Sequence, residues 1–223
     1  QPELALDWAE LGLKSFAERP DNRLRDFLVA AYLERKRNDE ALELVWIQFE
    51  EHPVLEHYIK LHDIAVKLDV WAAQRERALT LIMVDAITAR EAARTSQRKS
   101  TSSTPNHSLR LEIALWENDL DAAWSVAHKS AHNRGLLIAL AGKLEASRPV
   151  DAVSLYHRVI PTIIDETNNF AYGEAIKLIG KVGSLMKKHK QLLQFEHYLA
   201  ELRLQFKPKR NFIKLLDGVA GKV

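Results

Sequence analysis

Cysteine is absent from the 223 residues, so the chain forms no disulfide, offers no thiol nucleophile and builds no thiolate zinc site. A reducing cytoplasm is the expected location. Glycine and proline are scarce, at 8 and 7 residues, and no glycine-rich phosphate loop or strand–turn–helix nucleophile elbow can be found. Excess charge is also lacking: 32 Lys and Arg face 30 Asp and Glu, so any nucleic acid or anionic surface must be met by a local patch. No apolar run approaches the roughly 20 residues of a bilayer span, so no membrane partner is expected. The start, Gln1-Pro2-Glu3, lacks the basic and apolar regions of a signal peptide, and the chain reads as part of something longer.

What is present is helix-forming. Hydrophobic residues make up 47% of the chain, enough for a sizeable core, and Leu, Ala, Glu, Lys and Arg recur at helical spacing. Leu4, Ala5, Trp8, Leu11 and Leu13 predict a first amphipathic helix ended by Pro20-Asp21-Asn22, and Leu24, Phe27, Leu28, Ala31 and Tyr32 a second. A third carries Ala41, Leu44, Val45 and Phe49, a fourth Leu55, Tyr58, Leu61 and Ala65, and a long fifth covers 70–94. The polar run 95–106, TSQRKSTSSTPN, is expected to be a mobile loop, because it cannot bury enough apolar surface to offset its ordering entropy. Beyond it helices are predicted at 107–117, 120–130, 133–146, 150–166, 169–189, 192–206 and 209–216, with Pro161 kinking the fourth of these.

An acid followed by alanine recurs near helix starts, at Glu40-Ala41, Asp121-Ala122, Asp151-Ala152 and Glu174-Ala175. The carboxylate suits the helix N-terminal dipole, and the alanine lets a neighbouring helix approach. Tyr32, Ala41 and Pro53 stand at tetratricopeptide offsets, although Arg25 and Val29 replace the Trp and Gly of that pattern. The expected fold is all-α: an α-α superhelix of degenerate tetratricopeptide-like helix hairpins, with repeats at 1–94 and 107–223 on either side of the loop.

A set of strings adds a family resemblance: LELVWIQFE at 42–50, LWENDLDAAW at 115–124, TNNFAY at 167–172, YLAELR at 198–203 and KRNFIKLL at 209–216. In this order they resemble the C-terminal helical region of bacterial SWIM zinc-finger proteins. The resemblance implies a scaffold of uncharacterised role. Members carry an upstream Cys-x-Cys and Cys-x-His zinc motif that this chain cannot contain, so zinc and finger-borne activity do not transfer.

Candidate chemistry is sparse. His128 and His132 share a helical face at i, i+4 but have neither a third ligand nor the intervening Glu of a zincin, and read as ordinary histidines. The carboxylate pairs Glu50-Glu51 and Asp165-Glu166 point apart on their helices and read as solvated faces. Thr167, Asn168 and Asn169 form either a polar groove cluster or, the preferred reading, a helix cap. Of the five tryptophans, Trp116 and Trp124 are expected in the core. Two basic groups could meet phosphates: Arg90, Arg94, Arg98 and Lys99, and Lys207, Lys209 and Arg210 with Lys214. The terminal segment 209–216 is expected to dock through Phe212, Leu215 and Leu216 while its basic residues point elsewhere. No catalytic set, cofactor or metal site is expected. The leading function is a non-enzymatic scaffold for a protein partner; the alternative is an accessory nucleic-acid-binding module.

Overall fold

A computed structural model describes residues 2–16, 21–95, 107–129 and 133–220, with side chains at all of these except 2, 85–95, 107, 129 and 220. The described residues form twelve helices and no strand, as an all-α reading requires: α1 (Pro2–Ser15), α2 (Asn22–Glu34), α3 (Asn38–Glu51), α4 (Leu55–Lys67), α5 (Trp71–Thr95), α6 (His107–Trp116), α7 (Leu120–Lys129), α8 (Arg134–Leu144), α9 (Pro149–Ile164), α10 (Asn169–Lys188), α11 (Leu192–Gln205) and α12 (Arg210–Ala220). They belong to two compact units, 1–113 and 114–223. Of the expected loop, Thr95 is the last residue of α5, and 96–106 lie outside the described residues.

Unit 1 packs its helices as sequence neighbours, α1 on α2, α2 on α3, α3 on α4 and α4 on α5. An aromatic relay runs through it, with ring centroids 6.0 Å apart for Trp46 and Phe49, 5.9 Å for Phe49 and Tyr58, and 5.4 Å for Tyr58 and Trp71. Such tilted pairs add to plain area burial. Ala41 is fully buried, as expected of the small residue at a close helix approach. Arg25, at the repeat offset where Trp was expected, is buried too, because its guanidinium donates twice to Glu51, at 2.6 and 2.8 Å.

Unit 2 is built around α9 and α10, which bury Ala152, Tyr156, Ile160, Ile163, Ala175 and Ile179 completely. Helix α9 runs as one helix through Pro161 to Ile164. Proline so near a C-terminal end removes only one ladder bond from the last turn. Helix α12 packs on α10 and α11. Phe212 and Leu216 bury fully there, whereas Leu215 is 43% exposed and does not belong to the docking stripe.

The short turns share one geometry without glycine. Lys36, Asp69, Asn118 and Lys190 take φ of 58–59°, and the residue after each donates its N–H to the carbonyl five residues back, as in Arg37 to Tyr32 at 2.9 Å and Gln191 to Met186 at 2.8 Å. This six-to-one bond is the Schellman closure that satisfies helix C-terminal carbonyls. Thr167, at φ 55°, turns α9 toward α10 in the same region of backbone space. Side chains then cap the next helix: Asn168 Oδ1 accepts from Ala171 N at 2.8 Å, Asp119 Oδ1 from Ala122 N at 2.9 Å, and Asn133 Oδ1 from Gly135 N at 2.7 Å.

Candidate functional site

Helix α1 is apolar on two opposite faces. Leu6, Ala9 and the half-buried Leu13 face the core of unit 1, at spacings i, i+3 and i+7. Leu4, Trp8 and Leu11, spaced i, i+4 and i+7, form a second stripe on the far side, where Trp8 is 65% exposed. The sequence alone puts Leu4, Ala5, Trp8, Leu11 and Leu13 on the apolar face, and of these only Leu13 packs on the core. Both sets satisfy helical spacing, so periodicity alone cannot choose between them. Phe16 at the end of α1 and Phe27 on α2 are exposed as well. Single exposed apolar residues are ordinary, but an aligned stripe with a tryptophan at its centre has the composition of an interaction surface.

The acidic and basic residues beside this face have structural work. Arg37, the residue before α3, donates through Nε to Glu40 at 2.9 Å and through Nη1 to Glu10 of α1 at 2.7 Å, with its guanidinium 4.1 Å from the centre of the Tyr32 ring. The guanidinium hydrogen bond holds the Glu10 carboxyl below its ordinary range. Unit 2 repeats the device: Arg148, before α9, donates through Nε to Asp151 at 2.6 Å and through Nη1 to Asp121 of α7 at 2.8 Å. In both cases the upstream acid lies 27 residues back. The acid-then-alanine pattern was visible in the chain, and the arginine three residues before Glu40 and Asp151, two of its four occurrences, was the unread part. These guanidiniums tie neighbouring helices and are not free to hold a ligand.

The polar cluster Thr167, Asn168 and Asn169 meets the C-terminal basic cluster. Lys209 Nζ donates to Ile164 O at 2.9 Å and Thr167 Oγ1 at 3.0 Å and pairs with Asp165 at 3.2 Å, while Asn211 Nδ2 donates to Asn169 Oδ1 at 3.2 Å. Lys209 therefore does not point outward as expected; it closes the C-terminal end of α9, where the orphan carbonyls and the dipole favour a cation. Replacing Lys209 with methionine is expected to lower stability by about 1–2 kcal/mol, from charge-assisted bonds only partly shielded from water. Arg210→Ala, at an exposed position, should stay within about 0.5 kcal/mol. Urea titration of the two variants checks this, and equal midpoints would show that Lys209 is a surface charge.

The remaining basic candidates divide. Lys207, Arg210 and Lys214 are exposed at the C-terminal end of unit 2. The backbone places Arg90 and Arg94 on α5, their side chains lie outside the description, and Arg98 and Lys99 fall outside the described residues. His128 Nδ1 lies 3.1 Å from Trp124 O, and His132 is outside the described residues. No metal-binding group of three or more His, Asp or Glu exists among the described residues. Three of the four adjacent carboxylates are individually partnered, Glu51 by Arg25, Asp165 by Lys209 and Glu166 by Arg134, and Glu50 is exposed. Trp116, expected in the core, is 38% exposed, and Trp124 is half-buried.

One buried titratable pair stands apart in unit 2. The rings of His157 on α9 and Tyr198 on α11 stack with centroids 3.8 Å apart, and His157 Nε2 and the Tyr198 hydroxyl are buried without a hydrogen-bond partner among the described residues. Burial pushes the His157 pKa down, against the opposing pull of Glu201, and burial pushes the Tyr198 pKa up. A histidine depressed in the folded state binds fewer protons there than when unfolded. Its contribution is intact above the unfolded value of about 6.5 and is lost as pH falls below it. His157→Phe, which keeps the stack, should therefore make stability less sensitive to pH between about 7 and 5 than the wild type. Parallel slopes in thermal melts across that window would show that His157 does not control it.

No protein-family model, no curated protein and no solved structure matches this chain.

Proposed function

We propose that the chain is a non-enzymatic helical-repeat scaffold for protein–protein interaction, acting in the cytoplasm. The observation that carries the reading is the outward stripe of α1, Leu4, Trp8 and Leu11, on a helix whose opposite face is already packed. Stacked helix pairs of the tetratricopeptide kind present such faces to partners, and the resemblance to the helical region of SWIM zinc-finger proteins supports a scaffold role. A photo-crosslinking amino acid at position 8 or 11 should capture defined protein adducts in the native host, and the same group at exposed position 34 should not. No adduct from positions 8 and 11, or identical adducts from position 34, would remove this reading.

A second reading, an accessory nucleic-acid module, draws on exposed Lys207, Arg210 and Lys214. Lys209 is committed to α9 and drops out of that set. Phosphate contacts are strongest at low ionic strength, so failure of labelled DNA and RNA to bind there would eliminate it.

A further inference from the structure

We propose that the exposed face of α10 is a binding track for single-stranded nucleic acid, with phosphates along a row of lysines and a base stacked on Phe170. The proposal rests on the nucleic-acid reading and gives it a site other than the C-terminal basic residues. From 175 to 195 the chain holds five lysines and no acid. Phe170, Lys177, Lys181, Ser184 and Lys188 stand at i, i+7, i+11, i+14 and i+18, so they fall within about 60° of arc over a length of about 27 Å. All five are exposed, Phe170 at 83%. Lys177 and Lys188 have no ion-pair partner among the described residues. Lys181 Nζ lies 3.3 Å from Glu145 Oε1 with its side chain 55% exposed, an arrangement that a phosphate can replace. The one acid of α10, Glu174, is engaged with Arg134 at 3.7 Å. Lysine in the last turn of a helix answers the dipole, which accounts for Lys188 but not for Lys177 and Lys181 in the middle.

Two glycines border the row without a packing reason. A Cβ at Gly173 or Gly180 would meet nothing within 4 Å, whereas one at Gly183 would press on Phe195 at 2.7 Å. Glycine inside a helix is destabilising relative to alanine, and the bare backbone it leaves lets a ligand lie closer. The chemistry of the face selects the partner. Lysines hold phosphates as point charges without reading sequence. An exposed ring offers a stacking platform to an unpaired base, which a duplex does not supply. A bilayer fits poorly, because Leu178, Ile179, Val182 and Met186, the apolar side of α10, are buried within unit 2 and leave no apolar face to insert.

Fluorescence anisotropy of the full chain with a labelled single-stranded oligonucleotide, at rising salt, tests the proposal. The wild type should bind with Kd of about 1–100 µM at physiological salt, and log K should fall against log salt with a slope of about −2 for three lysine contacts. Lys177→Gln, Lys181→Gln and Lys188→Gln together should weaken binding at least about tenfold and flatten that slope. Phe170→Ala should weaken single-strand binding about 5- to 100-fold and leave the slope unchanged. Every replaced side chain is exposed, so the helical circular-dichroism signal of these variants should match the wild type. No binding even at low salt would remove the nucleic-acid reading and this track together. Binding that survives the α10 changes but is lost with Lys207→Gln, Arg210→Gln and Lys214→Gln would overturn the track and keep that reading. A chain that bound phosphatidylserine vesicles or polyglutamate in preference to the oligonucleotide would also overturn it.

Discussion

Replacing Phe212 with alanine is expected to cost about 3–5 kcal/mol, the range for truncating a fully enclosed aromatic ring. The ring is 0% exposed, and its centroid lies 5.8 Å from both Tyr172 of α10 and Phe206 at the end of α11. Its loss opens a space between three elements that rigid helices cannot close, so the cavity adds to the lost transfer energy. Leu215→Ala, at a half-exposed position on the same helix, should cost less than about 1 kcal/mol. Chemical denaturation of both variants separates them, and similar midpoints would mean that α12 is not docked through Phe212.

The second large effect is expected at Arg25. Arg25→Ala should cost about 3 kcal/mol at neutral pH, since it removes a buried side chain together with both bonds to Glu51. The cost falls at the low end for a broken ion pair because the Glu51 side chain is 40% exposed and can recover water. The Arg25 hydrogen bond also holds the Glu51 carboxyl below its ordinary value. A depressed carboxylate contributes stability above its unfolded pKa and loses it as pH falls through the lower folded one, so the gap between wild type and variant should narrow as pH falls below about 4.5, leaving the packing loss. Arg25→Met combined with Glu51→Leu should recover most of the loss, because an apolar pair needs no compensation for desolvation. A double variant no better than the single one would refute the ion-pair account.

Helical periodicity was enough to place every helix, because apolar spacing is a local property and survives without glycine or proline punctuation. The cap role of Asn168 was legible for the same reason, since it depends on a bond to Ala171 only three residues away. What could not be read were choices made by tertiary contact. Leu4, Trp8 and Leu11 fit a core stripe as well as Leu6, Ala9 and Leu13 do, and only the position of α2 decides between them. Arg25 broke the repeat pattern on paper because its compensating carboxylate lies 26 residues away. The left-handed turns at Lys36, Asp69 and Lys190 escaped notice because long or charged side chains occupy positions where glycine is the usual sign.

The link between Lys209 and Ile164 O spans 45 residues, whereas the other extensive helix contacts within each unit join sequence neighbours except for α12 on α10. On a ribosome, most of the fold can therefore assemble pair by pair as each helix emerges, with little loop entropy to overcome. The end of α9 must wait. Its last carbonyls are bonded within their own turn by the N–H groups of Asp165, Glu166 and Thr167. The cation that Lys209 adds at Ile164 O and Asp165 arrives only when the final residues of unit 2 leave the exit tunnel, so those residues act as a latch on a segment synthesised much earlier. A stalled or truncated chain ending before Lys209 would lack both that cation and the helix that packs on α10 and α11, and so would leave the apolar surface under Phe212 and Leu216 open to quality control.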